Sequence, residues 1–158
     1  MLKLSLAKLN DLFAAVSAGC TLYLPVDDPS SGRANYRKWT EGAELSRALN
    51  TVRSAKDFFF PQTENLVDFK MKGKEIEIID PRSEQEDFVV FGVRACDARS
   101  FSILDRVFLT EPADTYYQSR REHGIVVTMA CTRPEETCFC QSSGIDPTHP
   151  EGDVSCWM

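Results

Sequence analysis

The first half of the chain is predicted to be a mixture of helices and short strands. Hydrophobic residues recur at helical spacing in two segments, residues 5–18 and 42–56. Shorter apolar or alternating segments predict strands, at residues 21–26, 36–39, 66–71 and 74–79. The last two of these are expected to form a β-hairpin. Because proline cannot donate a hydrogen bond to a central ladder, Pro25 predicts that the first strand lies at an edge of its sheet.

The second half of the chain has a different hydrophobic pattern. Residues 88–93 and 125–129 are nearly continuous apolar runs, which are typical of strands buried on both faces. Between them, residues 97–108 and 114–122 have helical spacing, and Asp97 is the expected N-cap of the first helix. A strand, two helices and a second strand predict two neighbouring parallel strands joined by a right-handed crossover.

Together these elements predict a mixed α/β (α+β) fold. A small, mostly parallel sheet is flanked by helices and accompanied by a β-hairpin. A chain of 158 residues fits one domain, residues 1–158, which divides into an accessory half (1–80) and a half that carries the candidate chemistry (81–158). Three consecutive phenylalanines, Phe58–Phe60, are expected to form a hydrophobic plug beneath the sheet, with a partner or cofactor contact as the alternative.

Composition and charge exclude several classes of function. The chain is 42% hydrophobic and 27% charged, as ordinary globular proteins are, and its net charge is −6. A net negative charge argues against binding to nucleic acid or to an anionic membrane surface. No apolar run has the length of a membrane-spanning helix, and the N-terminus lacks the apolar core of a signal peptide. A cytoplasmic location is therefore expected.

The candidate chemistry lies in the cysteines. Six cysteines in a reducing compartment indicate metal binding or redox chemistry rather than a disulfide scaffold. Cys96 closely follows the run 88–93, and Cys131 closely follows 125–129. Because the carboxyl ends of parallel strands lie at the same sheet edge, these two residues are predicted to meet there. Cys138 and Cys140 follow in the same loop, and in extended backbone residues i and i+2 project to the same side.

Cys96, Cys131, Cys138 and Cys140 are therefore the predicted ligands of one metal centre at the carboxyl edge of the sheet. The favoured group is a [4Fe–4S] cluster, although the spacing matches neither the bacterial ferredoxin run nor the plant-type spacing. Zinc held by the same four cysteines, in a structural or interaction module, is the alternative. Redox-active thiols without a metal are the third hypothesis. A helix N-terminus beside Cys96 is expected to stabilise its thiolate.

Nearby positive charge and the remaining thiols complete the candidate chemistry. Arg94, Arg99 and Arg133 are expected to raise the reduction potential of a bound cluster. Cys20 is expected to be a small buried hydrophobe and Cys156 a free thiol or a strand residue. Whether Cys156 or Asp97 serves as a ligand is left open. No P-loop, Gly-x-Gly-x-x-Gly or Ser–His–Asp arrangement occurs, so no catalytic residue is predicted.

The chain also resembles a known family. From about residue 55 onwards it is similar to the beta subunits of cytoplasmic NiFe sulfhydrogenases and to the electron-transfer subunit of anaerobic sulfite reductase. The segments that carry the resemblance are Phe59–Glu64, Gly92–Asp97, Leu104–Asp105, Tyr116–Tyr117 with Arg120–Arg121, and Cys131 to Cys140. The resemblance implies a non-catalytic electron-transfer component of a multi-subunit oxidoreductase from anaerobic metabolism. Such a component passes electrons through an iron–sulfur cluster between a flavin- and nicotinamide-binding partner and a catalytic partner.

One part of the family pattern is missing. Members continue into a ferredoxin-like region with two further [4Fe–4S] clusters, and this chain has no Cys-x2-Cys-x2-Cys-x3-Cys-Pro run. The resemblance is therefore to the N-terminal part of the family. We expect any flavin or NAD(P) to be bound by a partner. The expected partners are a flavoprotein and a ferredoxin-like or catalytic subunit.

Overall fold

A computed structural model describes residues 2–158, and a mostly parallel sheet forms its centre. The strands are β1 (Thr21–Asp28), β2 (Arg33–Lys38), β3 (Asp68–Lys72), β4 (Glu75–Ile79), β5 (Phe88–Val93), β6 (Gly124–Met129) and β7 (Val154–Cys156). The α-helices are α1 (Leu9–Ser17), α2 (Ala95–Phe108) and α3 (Thr115–His123). None of the helices in residues 2–158 has both the length and the apolar composition that a membrane span requires.

The main sheet has the strand order β2-β1-β5-β6-β7, and β3 pairs with β4 in a separate hairpin. The β1–β5, β5–β6 and β6–β7 pairs are parallel, whereas β2 runs antiparallel to β1. The predicted fold class, the parallel β5–β6 pair and the hairpin are therefore confirmed. Strand β7 was anticipated only as one of two alternatives for Cys156, because it is three residues long and carries no distinctive pattern.

The expectation that the first strand lies at a sheet edge is wrong. Strand β1 lies between β2 and β5, and its ladder with β5 extends only from Thr21 to Tyr23. Pro25 lies beyond the end of that ladder, so its missing N–H removes no hydrogen bond to β5. The Pro25 carbonyl instead accepts a hydrogen bond from the backbone N–H of Ser46.

The predicted helix over residues 42–56 is also wrong. This segment is irregular until a short 3-10 helix at Ala55–Phe58. Its backbone groups bond to distant partners instead of to each other: Ser46 N–H donates to the Pro25 carbonyl, and Val52 N–H donates to the Ala34 carbonyl. The carbonyls of Ala48 and Leu49 accept hydrogen bonds from the side chain of Arg94, the residue after β5. Tertiary contacts therefore override the local helical pattern.

Both faces of the main sheet carry a hydrophobic core. On one face, Phe59 is fully buried among residues of β5, α2 and α3, and its ring packs against Phe88 and Phe101. On the other face, Phe13 of α1 packs against Phe91. The predicted role of the three phenylalanines as a plug is confirmed for Phe59, since its side chain fills the space between the sheet and α2.

A bulge in β5 determines which side chains reach each core. Phe88 and Val90 face the core under α2, as strand alternation requires, and Phe91 faces the core under α1. Val93 should follow Phe91 but instead packs with Phe88 and Val90. The pairing with β6 shifts between Phe91 and Val93, and the intervening Gly92 has φ +85°. One extra residue at Gly92 therefore reverses the alternation just before the candidate site.

Helix α2 begins two residues earlier than predicted. Its N-cap is Arg94, whose side chain makes no capping hydrogen bond, and Asp97 lies within the first turn. The expectation that Asp97 caps the helix is therefore wrong, and Cys96 lies inside the helix rather than before it. By contrast, Asp114 caps α3 by accepting hydrogen bonds from the N–H groups of Tyr116 and Tyr117.

Replacing Gly92 with alanine is expected to destabilise the protein. A Cβ at this position would lie 3.2 Å from Pro25 Cδ, and the backbone has a left-handed φ that L-residues rarely adopt. We expect Gly92→Ala to lower the free energy of unfolding by about 1–3 kcal/mol, measured by urea denaturation. Gly19→Ala is the control, because Gly19 has an ordinary φ and its nearest neighbour would be 3.8 Å away. Equal stability of both variants would contradict the role of the bulge.

Candidate metal centre

The structure brings Cys96 and Cys131 to the same edge of the sheet. Cys96 is the second residue of α2, which follows β5, and Cys131 lies two residues beyond the end of β6. Because β5 and β6 are parallel neighbours, both cysteines lie at the carboxyl edge. Residues 131–140 are called the cysteine loop. The backbone N–H of Cys131 donates to the Pro147 carbonyl at 2.8 Å, which fixes the start of this loop against the segment that leads to β7.

Three of the four predicted ligands line one cavity. Cys96, Cys138 and Cys140 border an open cavity of about 660 Å³ between the start of α2, residues 48–54 and the cysteine loop. Cys131 does not line this cavity, but its thiol is close enough to those of Cys138 and Cys140 for their charges to raise its pKa. In residues 2–158, no three Cys, His, Asp or Glu side chains are grouped tightly enough to hold a single metal ion as they stand.

Arg94 links the two strands that carry the cysteines. Its guanidinium donates to the carbonyl of Ala130, the residue before Cys131, at 3.3 Å. It also donates to the carbonyls of Leu49 and Ala48, each at 3.0 Å. The planar fork of an arginine can reach several acceptors at once, which a lysine ammonium does less well. Arg94 therefore holds the end of β6 and the irregular segment 40–54 together at the mouth of the site.

A second set of hydrogen bonds extends from this segment to the cysteine loop. Asn50 Nδ2 donates to Glu135 Oε2 at 2.9 Å. Within the loop, Cys138 N–H donates to the Glu135 carbonyl at 3.0 Å, and Glu135 N–H donates to Cys138 Sγ at 3.3 Å. Backbone donors to a sulfur ligand stabilise its thiolate and any cluster that it binds. The wall of the cavity is thus connected to one of the predicted ligands.

Asp97 faces the same cavity with its charge already paired. One carboxylate oxygen accepts hydrogen bonds from Ser54 Oγ at 2.7 Å and from Lys56 Nζ at 3.3 Å. These contacts hold residues 54–56 against α2, so Asp97 has a structural role that its position in the helix did not reveal.

Burial opposes ionisation of the thiols in the metal-free protein. Burial, together with the nearby charges of Asp97 and Cys140, raises the pKa of Cys96 to about 11. Burial likewise raises the pKa of Cys131, against the lowering effect of Arg94. Burial outweighs the backbone N–H of Asp97 in the first turn of α2, which lowers the pKa of Cys96 as expected near a helix N-terminus. This weakens the hypothesis of redox-active thiols at these two positions.

The other two cysteines lie outside the cavity. Cys20 follows α1 and donates a weak hydrogen bond to the Val16 carbonyl at 3.5 Å, in the core on the opposite face of the sheet. Cys156 ends β7 and donates to the Thr128 carbonyl at 3.1 Å, and its side chain packs in the same core. Both side chains are half-buried, and both arrangements agree with structural cysteines.

Part of the chain is similar in sequence to a curated protein. Over 96 residues, the chain is 38% identical to the Sulfhydrogenase 2 subunit beta of Pyrococcus furiosus. The matched region is thus similar to a sulfhydrogenase beta subunit. The matched region covers 61% of the chain but only 27% of that relative, so the chain spans about a quarter of the relative's length. The resemblance to sulfhydrogenase beta subunits expected from the motifs is therefore confirmed.

Two other comparisons give no match: no protein-family model matches the chain, and no solved structure does.

Sequence reasoning missed the residues that support the cysteines. Arg94 was predicted to contribute charge, but its bonds to three carbonyls depend on an irregular segment that the sequence indicated as helix. The bond from Asn50 to Glu135 spans 85 residues and carries no local signal. Ser54 does carry a local signal, because serine is a common residue directly before a helical turn. In the structure its hydroxyl accepts a hydrogen bond from the Lys56 N–H at the start of the 3-10 helix.

Removing the Arg94 side chain is expected to loosen the site. In Arg94→Ala the carbonyls of Ala48, Leu49 and Ala130 lose their donor, so the free energy of unfolding should fall by about 2–4 kcal/mol. Limited proteolysis should also cleave residues 40–54 faster. Arg99→Ala is the matched control, because Arg99 is exposed and bonds only to Ser102, and it should behave as wild type. Similar losses in both variants would contradict the role of Arg94.

The raised pKa of Cys96 predicts slow alkylation of the metal-free protein. The thiolate is the nucleophile, so at pH 7–8 iodoacetamide should modify Cys96 far more slowly than an unstructured thiol. Below the pKa, the rate should rise about tenfold per pH unit and level off near pH 11. Peptide mass spectrometry measures the rate, with the urea-unfolded protein as control. Fast modification of folded protein at pH 7 would contradict the effect of burial on this thiol.

Proposed function

We propose that this chain is an electron-transfer subunit or domain of a hydrogenase-type oxidoreductase and binds one [4Fe–4S] cluster. The proposed ligands are Cys96, Cys131, Cys138 and Cys140. The observation that carries the proposal is the cavity at the carboxyl edge of the sheet, which three of these cysteines line and the fourth adjoins. An all-sulfur donor set suits iron–sulfur clusters and zinc, and suits Mg²⁺ or Ca²⁺ poorly.

The spacing of the cysteines favours a cluster over a single ion. Two sulfurs bound to one tetrahedral zinc, each at about 2.3 Å from the metal, lie about 3.8 Å apart. The four cysteines of a cubane cluster each bind a different iron and therefore surround a larger group. In residues 2–158 no three such side chains are grouped tightly enough to hold one ion, and Cys96, Cys138 and Cys140 line one cavity of about 660 Å³, which supports this wider arrangement.

Residues around the cavity would hold and tune the group. When bound, a [4Fe–4S] cluster takes up and releases one electron at a time, at a potential that depends on nearby charge and hydrogen bonds. Arg94 and Arg99 line the cavity and contribute positive charge, which favours the more negative, reduced state. The N–H of Glu135 donates to Cys138 Sγ, and Arg94 fixes the backbone next to Cys131. No residue of the chain is assigned a catalytic role.

The relationship to a sulfhydrogenase beta subunit supports a place in a multi-subunit complex. The curated relative is by name one subunit of an assembly, and this chain spans 27% of its length. We therefore assign the flavin or NAD(P) chemistry and the terminal reaction to partner subunits, namely a flavoprotein and a ferredoxin-like or catalytic subunit. The alternative, zinc held by the same cysteines, would make the chain a structural adaptor.

Metal and sulfide analysis of anaerobically purified protein tests this proposal. We expect about four irons and four sulfides per chain, with a broad absorption band near ~400 nm. Cys138→Ser and Cys140→Ser should each lose most of the iron and the band. Cys20→Ser is the matched control and should keep both, because Cys20 lies on the opposite face of the sheet. Stoichiometric zinc without sulfide, or full iron in Cys140→Ser, would overturn the cluster assignment.

A further inference from the structure

The outward face of α2 has an unusual composition for this chain. Its exposed residues are Arg99, Ile103, Arg106 and Val107, at spacings that place them on one side of the helix. Every one of them is basic or apolar, although the whole chain carries a net charge of −6. Ile103 and Val107 are each more than half exposed, so neither contributes to the core.

The acidic residues of α2 do not balance this basic face. Asp97 is bonded to Ser54 and Lys56, and Asp105 is bonded to Tyr117 and Arg121. Both carboxylates are therefore directed toward neighbouring elements and away from the exposed face. Arg99 makes only a weak bond to Ser102 of its own helix. Arg99 also borders a second cavity with three acidic residues of another segment, Asp146, Glu151 and Asp153. Within residues 2–158 neither Arg99 nor Arg106 forms an ion pair, so both guanidinium groups can pair with a partner molecule.

This face is continuous with the mouth of the cysteine cavity. Arg99 and Ile103 line the cavity together with Cys96, and two further apolar side chains, Val52 and Phe139, stand at its rim. Val52 and Phe139 are each more than half exposed. Phe139 lies between two of the proposed ligands, Cys138 and Cys140. An apolar centre with a basic margin is therefore built around the opening that leads to the thiols.

We propose that the α2 face docks a redox protein whose cofactor is surrounded by acidic residues. This inference rests on the proposed function, because it names the partner class of the same site. Acidic side chains of the partner would pair with Arg99 and Arg106, and its apolar centre would cover Ile103, Val107 and Phe139. One electron would then pass from the partner's reduced group, which is oxidised, to the group held by the cysteines, which is reduced. No proton or bond is transferred in this step.

Binding of a plant-type [2Fe–2S] ferredoxin, an acidic redox protein, tests the docking face. Calorimetric titration at low ionic strength should show saturable 1:1 binding that weakens as salt is added. The double variant Arg99→Glu/Arg106→Glu should bind at least about tenfold more weakly. The matched control Lys38→Glu/Lys70→Glu makes the same change in net charge on exposed residues outside α2 and should change affinity by less than about threefold.

A third variant separates the apolar contact from the charges. Val107→Ser should weaken binding severalfold and leave the salt dependence unchanged. Absence of saturable binding, or equal weakening in the Arg and Lys double variants, would overturn the docking face. A wild-type dimer in sedimentation velocity that Arg99→Glu/Arg106→Glu dissociates would assign the face to a second copy, and would also overturn it.

Titrations of metal-loaded and metal-free protein, with iron measured in each sample, distinguish this inference from the proposed function. Ferredoxin binding by protein that cannot hold iron would support the docking face and refute the cluster. Iron-loaded protein that does not bind ferredoxin would refute the docking face and leave the cluster proposal intact.

Discussion

The site depends on one arginine that bonds to three backbone carbonyls. Arg94 follows β5, and its guanidinium reaches the end of β6 and the irregular segment 40–54 at once. Without it, three partly buried acceptors would lack a donor, and such groups cost about 1–3 kcal/mol each when fully buried. The irregular segment in turn carries Asn50, which holds Glu135 in the cysteine loop. A single charged side chain thus connects β5, β6 and the loop that carries two of the proposed ligands.

The buried thiols place a constraint on how the site is filled. Metals bind thiolates, and burial favours the protonated form of Cys96 and Cys131 by raising the pKa of each. Binding must therefore release protons, and its apparent affinity should keep rising with pH over a wider range than at an exposed site. The same burial limits side reactions of the free thiols at neutral pH. These two thiols therefore stay protonated and uncharged at neutral pH, and they become thiolates when the metal binds.

The sequence predicted the part of the site that depends on simple repetition along the chain. The apolar runs of β5 and β6 identified two parallel strands. Cys96 and Cys131 come shortly after the ends of these strands, so their position at one sheet edge could be predicted. Residues 42–56 could not be predicted in the same way, because their apolar spacing fits a helix and their hydrogen-bond partners lie on β1, on β2 and at Arg94. Whether Cys131 joins the other three in one centre stays a prediction, since it does not line the cavity.

The bulge at Gly92 has a consequence for recognising such sites in other chains. It reverses the alternation of β5, so the residues after it leave the sheet on the side of α2 and the cysteine cavity. A related chain that lacked this one residue would keep the same cysteines in the same order, but Arg94 and Cys96 would start from the opposite face. Two sequences with identical cysteine motifs can therefore differ in whether their thiols can meet. A sequence pattern for such a site should therefore include the number of residues in the strand before the cysteines as well as the cysteine spacing.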